Sequence, residues 1–166
     1  QYKFTLHRET TKGIKIKKWS IDNLKTEKLT KDFMVNAWDF AGQEINYGTH
    51  QFFLTKNSVY IFVWDARKGE DQSMFRYWLE VISLLADQSP VIVVQNKIDI
   101  YDDDSINTQN WKDNFPNIKE FRKTSCKNKE GIEELRETII SSLIELPYTS
   151  TLWNQDRFRV RETLEN

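Results

Sequence analysis

Four residues that follow an apolar run, Asn96-Lys97-Ile98-Asp99, carry the most specific chemistry in the sequence. The run at residues 91–94 predicts a buried strand, so the four residues would lie at its carboxyl end. A carboxylate at Asp99 could accept two hydrogen bonds from the N1–H and N2–H₂ edge of guanine, a pattern that adenine does not offer. Asn96 would tie this loop to its neighbours, and the aliphatic stem of Lys97 would lie across the base. The alternative is a polar turn after a strand, and four residues alone do not decide between the two.

A second segment, Asp39-Phe40-Ala41-Gly42-Gln43-Glu44, follows another predicted strand. Asp39 at the strand end could hold Mg²⁺ through water. The backbone N–H of Gly42 could approach a γ-phosphate, because no side chain blocks it. Gln43 could orient an attacking water, which is the role of such a glutamine in GTP hydrolysis. The alternative is a loop in which the glycine only relieves a turn.

A third segment, Thr124-Ser125-Cys126-Lys127, gives weaker support. Its backbone amides could reach the O6 atom of guanine, and the Ser125 hydroxyl could brace Asp99. A serine in a turn before a helix is also a common cap, so this segment is not decisive by itself. Cys126 has an ordinary alternative as a small buried residue, since no histidine–cysteine pairing suggests catalysis.

Thr11, shortly before Gly13, is a candidate of a different kind. A threonine on a switch segment before the first strand could ligate Mg²⁺ through its hydroxyl and contact a γ-phosphate through its N–H. Thr10 competes for the same role, and a surface threonine is the alternative for both.

Apolar patterns predict the strands that must position these residues. Isoleucines alternate with lysines over residues 13–21, and apolar residues alternate again over residues 33–38, which predicts two adjacent, antiparallel strands, the first of edge type. Residues 58–64 and 90–94 are near-continuous apolar runs. Such runs are typical of strands buried on both faces of a mainly parallel sheet.

Helical spacing of apolar residues predicts the remaining elements. Residues 75–85 form an amphipathic helix between the two buried strands, and Ser73 or Asp71 could cap its start. Residues 119–123 could form the last strand, and a last helix covers residues 132–146. Strands that alternate with helices predict an α/β fold, a mostly parallel sheet flanked by helices, with ligands at the carboxyl ends of the strands.

The composition sets broad limits. The chain has 166 residues, of which 39% are hydrophobic and 30% charged, which suits one compact domain with a short piece of a neighbour. A formal net charge of -1 gives no reason to expect nucleic acid as a partner. The single cysteine fits a reducing compartment, and the apolar runs are too short to insert into a membrane, so we expect a cytoplasmic protein.

With these segments in place, the sequence resembles the Ras superfamily and, within it, the Roc domain of Roco proteins. The resemblance rests on Trp38-Asp-Phe-Ala-Gly-Gln-Glu44, Tyr47-Gly-Thr-His-Gln-Phe-Phe-Leu54 and Phe75-Arg-Tyr-Trp-Leu79. It implies a Roc GTPase domain over residues 1–146. Residues 147–166 resemble a linker and the start of a COR domain, the domain that follows Roc and is associated with dimerisation.

The family's properties imply GTP hydrolysis to GDP and phosphate with Mg²⁺, as a switch in a larger Roco protein. They imply Gln43 as the catalytic residue and Thr11 and Asp39 as the residues that serve Mg²⁺. They imply nucleotide binding by nine residues: Thr11, Asp39, Gly42, Asn96, Lys97, Asp99, Ser125, Cys126 and Lys127. The implied partners are guanine nucleotide, a COR domain in the same chain and a second copy of the parent protein.

One departure from the family pattern concerns the phosphate-binding loop, GxxxxGK[ST]. None of the five glycines precedes Lys-Ser or Lys-Thr: Gly13, Gly42, Gly48, Gly69 and Gly131. We therefore expect the first strand, this loop and the first helix to be missing from the 166 residues, which alone should bind nucleotide poorly. An alternative function is a nucleotide-gated or nucleotide-free dimerisation or scaffold module without significant hydrolysis.

Overall fold

The computed structural model describes residues 13–21, 33–40, 51–65, 72–102 and 106–147. These residues form five strands, three α-helices and a short 3₁₀ turn at Gln51–Phe53. In chain order the elements are β1 Ile14–Ile21, β2 Phe33–Phe40, β3 Tyr60–Asp65, α1 Gln72–Leu85, β4 Val91–Asn96, α2 Thr108–Asn114, β5 Ile118–Thr124 and α3 Ile132–Glu145. No helix in these ranges is long and apolar enough to span a membrane.

The first sheet contains β1 and β2, which pair antiparallel as the alternating pattern predicts. In this register Ile16 lies opposite Trp38, and Trp19 lies opposite Val35. Side chains directly opposite each other share a face of the sheet, so Trp19 lies on the face away from Trp38. The guanidinium of Arg136, on α3, is 6.0 Å from the centre of the Trp19 ring. This contact places the last helix on the Trp19 face.

The second sheet is parallel, with the strand order β3-β4-β5. Residues 91–95 of β4 are all buried, because strands flank β4 on both sides and apolar residues cover both of its faces. The prediction that β3 is buried on both faces is wrong. Ile61 and Val63 are 43% and 55% exposed. Within the described residues β3 pairs only with β4, and only its Tyr60, Phe62 and Trp64 face packs against the core.

Helix α1 covers the parallel sheet through one apolar stripe. The spacing of its apolar residues is the predicted one. The helix begins at Gln72, so Ser73 lies inside it, and the prediction that Ser73 caps the helix is wrong. The other predicted cap, Asp71, lies outside the described residues.

Helix α2 was not predicted, because it is short and mostly polar. Asn107 caps it by accepting a hydrogen bond from the N–H of Asn110 at 3.0 Å. The buried core consists of Phe75, Leu79, Ile82, Ala86, Val91, Val93, Trp111, Phe115 and Ile118.

The parallel pairing of β4 and β5 has a direct consequence for the predicted ligand residues. Asn96, the last residue of β4, is the register partner of Thr124, the last residue of β5. The loops that leave these two strands therefore start side by side at the carboxyl edge of the sheet. This is where parallel sheets place ligands.

Candidate functional site

Asn96 joins the two loops at the carboxyl edge. Its Oδ1 atom accepts hydrogen bonds from the backbone N–H of Lys97 at 2.8 Å and from that of Cys126 at 3.3 Å. The Thr124 hydroxyl lies 3.4 Å from the same oxygen, and the Ile98 N–H donates to the Thr124 carbonyl at 3.3 Å. The predicted tie between this loop and its neighbours is therefore present.

Lys97 has a left-handed backbone, with φ of 68°. A residue with a Cβ atom adopts this conformation at an energetic cost, and such positions concentrate at ligand sites. The conformation turns the chain sharply after β4. Two residues later, Asp99 faces the loop that leaves β5.

The Asp99 carboxylate accepts a hydrogen bond at one oxygen and has only the Lys127 ammonium near the other. Ser125 donates its hydroxyl to Asp99 Oδ1 at 2.7 Å. Asp99 Oδ2 is buried and has no hydrogen-bond donor in the described part of the chain, and the whole side chain is only 5% exposed. The Lys127 ammonium lies 3.7 Å from Oδ2, but its side chain is 70% exposed to water. A buried carboxylate oxygen without a donor costs free energy unless a ligand supplies one.

Ionisation of Asp99 is favoured by its surroundings. The Ser125 hydrogen bond lowers the pKa of this carboxyl below its ordinary value of 3.8, and the positive charge of Lys127 acts in the same direction, while burial opposes both. The carboxylate is therefore charged at neutral pH. It presents two acceptor oxygens to a ligand with adjacent N–H groups.

Ser125 is itself fixed by a short hairpin that follows β5. Its N–H donates to the Glu130 carbonyl at 3.0 Å, and these two residues form an antiparallel bridge. Its hydroxyl oxygen also accepts the N–H of Asn128 at 3.1 Å. Sequence reasoning identified Ser125 but missed Asn128 and Glu130; the available signal was the polar run that ends in Gly131 before the last helix.

Cys126 is exposed, so its interpretation as a small buried residue is wrong. It lies in the turn after the Ser125 bridge, where the chain leaves the sheet and its side chains point away from the core. Its backbone N–H, by contrast, is directed to Asn96. The Cys126 backbone thus helps to hold the two loops together.

The predicted phosphate and metal residues are only partly described. Asp39 is the next-to-last residue of strand β2. It is exposed and lies opposite Lys15 in the sheet register. Thr11, Gly42 and Gln43 lie outside the described residues. In the described ranges no group of three or more histidine, cysteine, aspartate or glutamate side chains could hold a metal ion. The assignment of Thr11 and Asp39 to Mg²⁺ stays a prediction.

Comparison with known proteins identifies the family of this chain. The family model "Ras of Complex, Roc, domain of DAPkinase" matches residues 1–99. The chain belongs to the Roc domain family. The resemblance predicted from the sequence is therefore confirmed. Roc domains are the GTPase-type domains of Roco proteins.

Two curated relatives and one solved structure show how Roc domains occur in longer proteins. The probable serine/threonine-protein kinase pats1 of Dictyostelium discoideum is 34% identical over 147 aligned positions, and the match covers 78% of this chain and 5% of the relative. A Roc-COR-CHAT protease of Runella zeae is 29% identical over 171 aligned positions, 95% of this chain and 18% of the relative. The chain thus spans less than a fifth of either relative.

The structure of Methanosarcina barkeri Roco2 RocCORdC bound to GDP matches this chain with a TM-score of 0.80 and 38% identity. The match covers 94% of this chain and 46% of that one. The Ras-like fold predicted from the sequence, a parallel sheet flanked by helices, is confirmed by this similarity.

Proposed function

We propose that this Roc domain binds guanine nucleotides and hydrolyses GTP to GDP and phosphate with Mg²⁺, as a switch in a larger Roco protein. The observation that carries the proposal is the state of the Asp99 carboxylate. Within the described residues its Oδ2 is buried without a hydrogen-bond donor, with the Lys127 ammonium 3.7 Å away, while Ser125 orients Oδ1. The N1–H and N2–H₂ groups of guanine supply the missing donors, whereas adenine offers an acceptor at its N1 position.

The base-binding residues form a connected set in this proposal. Asp99 accepts from the guanine edge, Asn96 holds the two loops together, and the stem of Lys97 covers one face of the base. Backbone amides of the Ser125-Cys126-Lys127 segment donate to guanine O6. The hydrogen bonds from Ser125 to Asp99 and from Cys126 to Asn96 support this arrangement, because they fix both loops before a ligand arrives.

The phosphate end of the site is assigned from the sequence pattern. Gly42 contacts the γ-phosphate, and Gln43 orients the water that attacks it. Thr11 and Asp39 serve Mg²⁺, which neutralises charge on the phosphate oxygens when it is bound. The exposed position of Asp39 near the end of β2 supports its role, because its carboxylate is accessible and lies only three residues before Gly42.

The larger protein is part of the proposal. Residues 1–146 form the Roc domain, and residues 147–166 are a linker and the start of a COR domain in the same chain. The Roc-COR-CHAT protease and the Roco2 RocCORdC structure, whose names combine Roc with COR, support this order. We further propose a homodimer of the parent protein and a cytoplasmic location.

Nucleotide binding is best tested in the full-length protein, because residues 1–166 contain no GxxxxGK[ST] motif. Calorimetric titration with GDP and ADP should give a preference for GDP of about 10²-fold or more. Equal affinity for the two nucleotides, or no binding of either, would contradict the proposal.

Hydrolysis needs a separate test. Gln43→Leu should slow single-turnover hydrolysis of GTP while GDP affinity stays close to that of the wild type, because the glutamine positions water and not the nucleotide. Gln109→Leu, the same change at an exposed position on α2, is the matched control. Equal hydrolysis rates in the wild type and Gln43→Leu would remove Gln43 from the mechanism.

The alternative function is dimerisation or scaffolding without significant hydrolysis. The two functions predict different behaviour of the full-length protein. A switch changes its oligomeric state or conformation between GDP and a non-hydrolysable GTP analogue. A scaffold shows the same sedimentation profile with either nucleotide and without one.

A further inference from the structure

We infer that the hairpin Ser125–Glu130, locked against β5 by Gly131, is a positioning element that sets how strictly the site selects guanine. The inference rests on the proposed function, since it concerns the same base-binding carboxylate. None of the positioning residues involved, Asn128, Lys129, Glu130 and Gly131, is assigned a contact with the nucleotide. They act through Ser125 and Asp99.

Gly131 holds the hairpin against β5. It is the N-cap residue of helix α3 and has a left-handed backbone, with φ of 67° and ψ of 5°. A Cβ atom at this position would overlap the carbonyl oxygen of Lys123 and would lie 3.2 Å from the carbonyl carbon of Lys123 and 3.4 Å from the Cα of Thr124. These are backbone atoms of β5, so no side-chain rotation relieves the overlap. Any side chain here must push the start of α3 away from the end of β5.

The hydrogen bonds of the hairpin couple the position of Gly131 to the position of Asp99. Glu130, the neighbour of Gly131, accepts the N–H of Ser125 at 3.0 Å. The Asn128 N–H donates to the Ser125 hydroxyl oxygen at 3.1 Å, which leaves the hydroxyl hydrogen for Asp99 Oδ1 at 2.7 Å. Ser125 is fully buried, and the Asn128 hydrogen bond orients its hydroxyl toward Asp99. Displacement of Glu130 therefore frees the Asp99 side chain to rotate.

Lys129 gives the hairpin its turn. It has φ of 64°, a left-handed conformation that is unusual for a lysine, and its side chain is exposed. Glycine adopts this conformation without cost, whereas proline is fixed near φ of about −65° and excludes it. Lys129→Gly and Lys129→Pro both remove the lysine side chain, but the first keeps the left-handed turn and the second excludes it.

Base selectivity is the quantity to measure, because a loss of folding alone does not change it. Inosine diphosphate lacks the 2-amino group of guanine but keeps N1–H, O6 and both phosphates. The ratio of the Kd for IDP to the Kd for GDP, measured with the full-length protein by displacement of a fluorescent GDP analogue, reports how well Asp99 is held. A variant that merely unfolds a fraction of the protein weakens both nucleotides equally and leaves the ratio unchanged.

The first set of variants tests the close contact between Gly131 and β5. Gly131→Ala should lower the IDP to GDP ratio by about ten-fold or more, the effect of losing one hydrogen bond to a charged group. Gly13→Ala is the matched control, since Gly13 has φ of 72° but no atom of the described residues lies within 4 Å of the added Cβ. It carries the same backbone penalty without the overlap and should keep the wild-type ratio. Gly131→Asn, which tolerates the left-handed conformation but still has a Cβ atom, should lose selectivity as Gly131→Ala does.

The second pair tests the turn without placing any atom against the core. Lys129→Pro should lower the ratio as Gly131→Ala does, and Lys129→Gly should keep it. This pair decides the matter if Gly131→Ala does not fold, because Lys129 is exposed. Wild-type selectivity in Lys129→Pro would overturn the inference, as would equal ratios in Gly131→Ala and Gly13→Ala when both fold.

Failure of the inference is distinguishable from failure of the proposed function. If the wild-type protein does not bind GDP, or binds GDP and IDP equally, the proposed base recognition by Asp99 is wrong. If the wild type prefers GDP and all four variants at positions 129 and 131 keep that preference, base recognition stands and the positioning role of the hairpin is wrong.

Discussion

Replacing Asp99 by asparagine is the sharpest test of base recognition, because the structure dictates how the new side chain must sit. The Ser125 hydroxyl donates to Oδ1 at 2.7 Å, so the oxygen of an asparagine takes that position. The amide nitrogen then occupies the position of Oδ2, which is buried and lacks a donor in the described residues. An acceptor that faces the ligand becomes a donor, with no change in side-chain size.

The expected loss follows from the hydrogen bonds involved. Asp99→Asn removes the hydrogen bond from the 2-amino group of guanine to a charged acceptor and brings two donors into opposition there, while N1–H keeps only a neutral acceptor. Loss of one bond to a charged acceptor weakens affinity by about 10- to 100-fold, and the weaker second bond adds to this, so GDP binding should weaken by about 10²-fold or more. Xanthine has a carbonyl oxygen where guanine has its 2-amino group, and this oxygen accepts from the new amide. The variant should therefore bind XDP more tightly than GDP.

The assay is calorimetric titration of the full-length protein with GDP and XDP, with unfolding followed in parallel. Asp87→Asn is the matched control: it is the same substitution at an exposed aspartate whose nearest cation, Lys56, is 3.5 Å away. It should keep the wild-type affinities. A GDP affinity of Asp99→Asn within about three-fold of the wild type, less than the effect of one hydrogen bond to a charged group, would refute the assignment of Asp99 to the base.

Four further predictions concern ionisation and stability. Ser125→Ala removes the main contribution that lowers the pKa of Asp99, so that pKa should rise toward 3.8 in a carbon-13 NMR titration; an unchanged value would show that the hydrogen bond is not the cause. Because the folded-state pKa of Asp99 lies below 3.8, its ionisation stabilises the fold above that pH, and the contribution should be lost as the pH falls through the folded-state pKa in acid unfolding curves. Tyr60→Phe should lower the free energy of unfolding by about 1 kcal/mol in urea, since the hydroxyl makes two main-chain hydrogen bonds of 2.6 and 2.7 Å; no change would mean that water replaces them without loss. Leu79→Ala should lower the free energy of unfolding by about 2–5 kcal/mol, because the Leu79 side chain is 0% exposed. Leu84→Ala should change it by no more than about 0.5 kcal/mol, because the Leu84 side chain is 81% exposed. Similar losses in the two variants would contradict the packing of α1.

The strands and the positions of the proposed base-binding residues were largely predictable from local pattern. The alternation in β1 and β2 and the continuous run of β4 are periodic over several residues, so the sequence states both the type and the position of these elements. Asn96 ends β4, Asp99 lies three residues later, and Ser125 directly follows β5. Their place at the carboxyl edge then depends only on the strands being parallel neighbours.

Other features could not be read from local pattern. Helix α2 has seven mostly polar residues, and its contribution to the core comes from Trp111, whose burial depends on the neighbouring Phe75 ring at a centroid distance of 4.4 Å. The exposed face of β3 has the same apolar composition as the buried β4. What differs is the number of neighbours that each strand has, which no single segment of sequence contains.

By itself, the sequence determined which chemical groups are available for a guanine base and which strands carry them. The tertiary structure decided how those groups are used. Ser125 and Asp99 are 26 residues apart, and they meet because the parallel register places the ends of β4 and β5 side by side. The close contact of Gly131 with β5 fixes the hairpin that holds Ser125. That register and that contact arise from packing between distant segments, so one carboxylate oxygen is held and the other is left buried for a ligand.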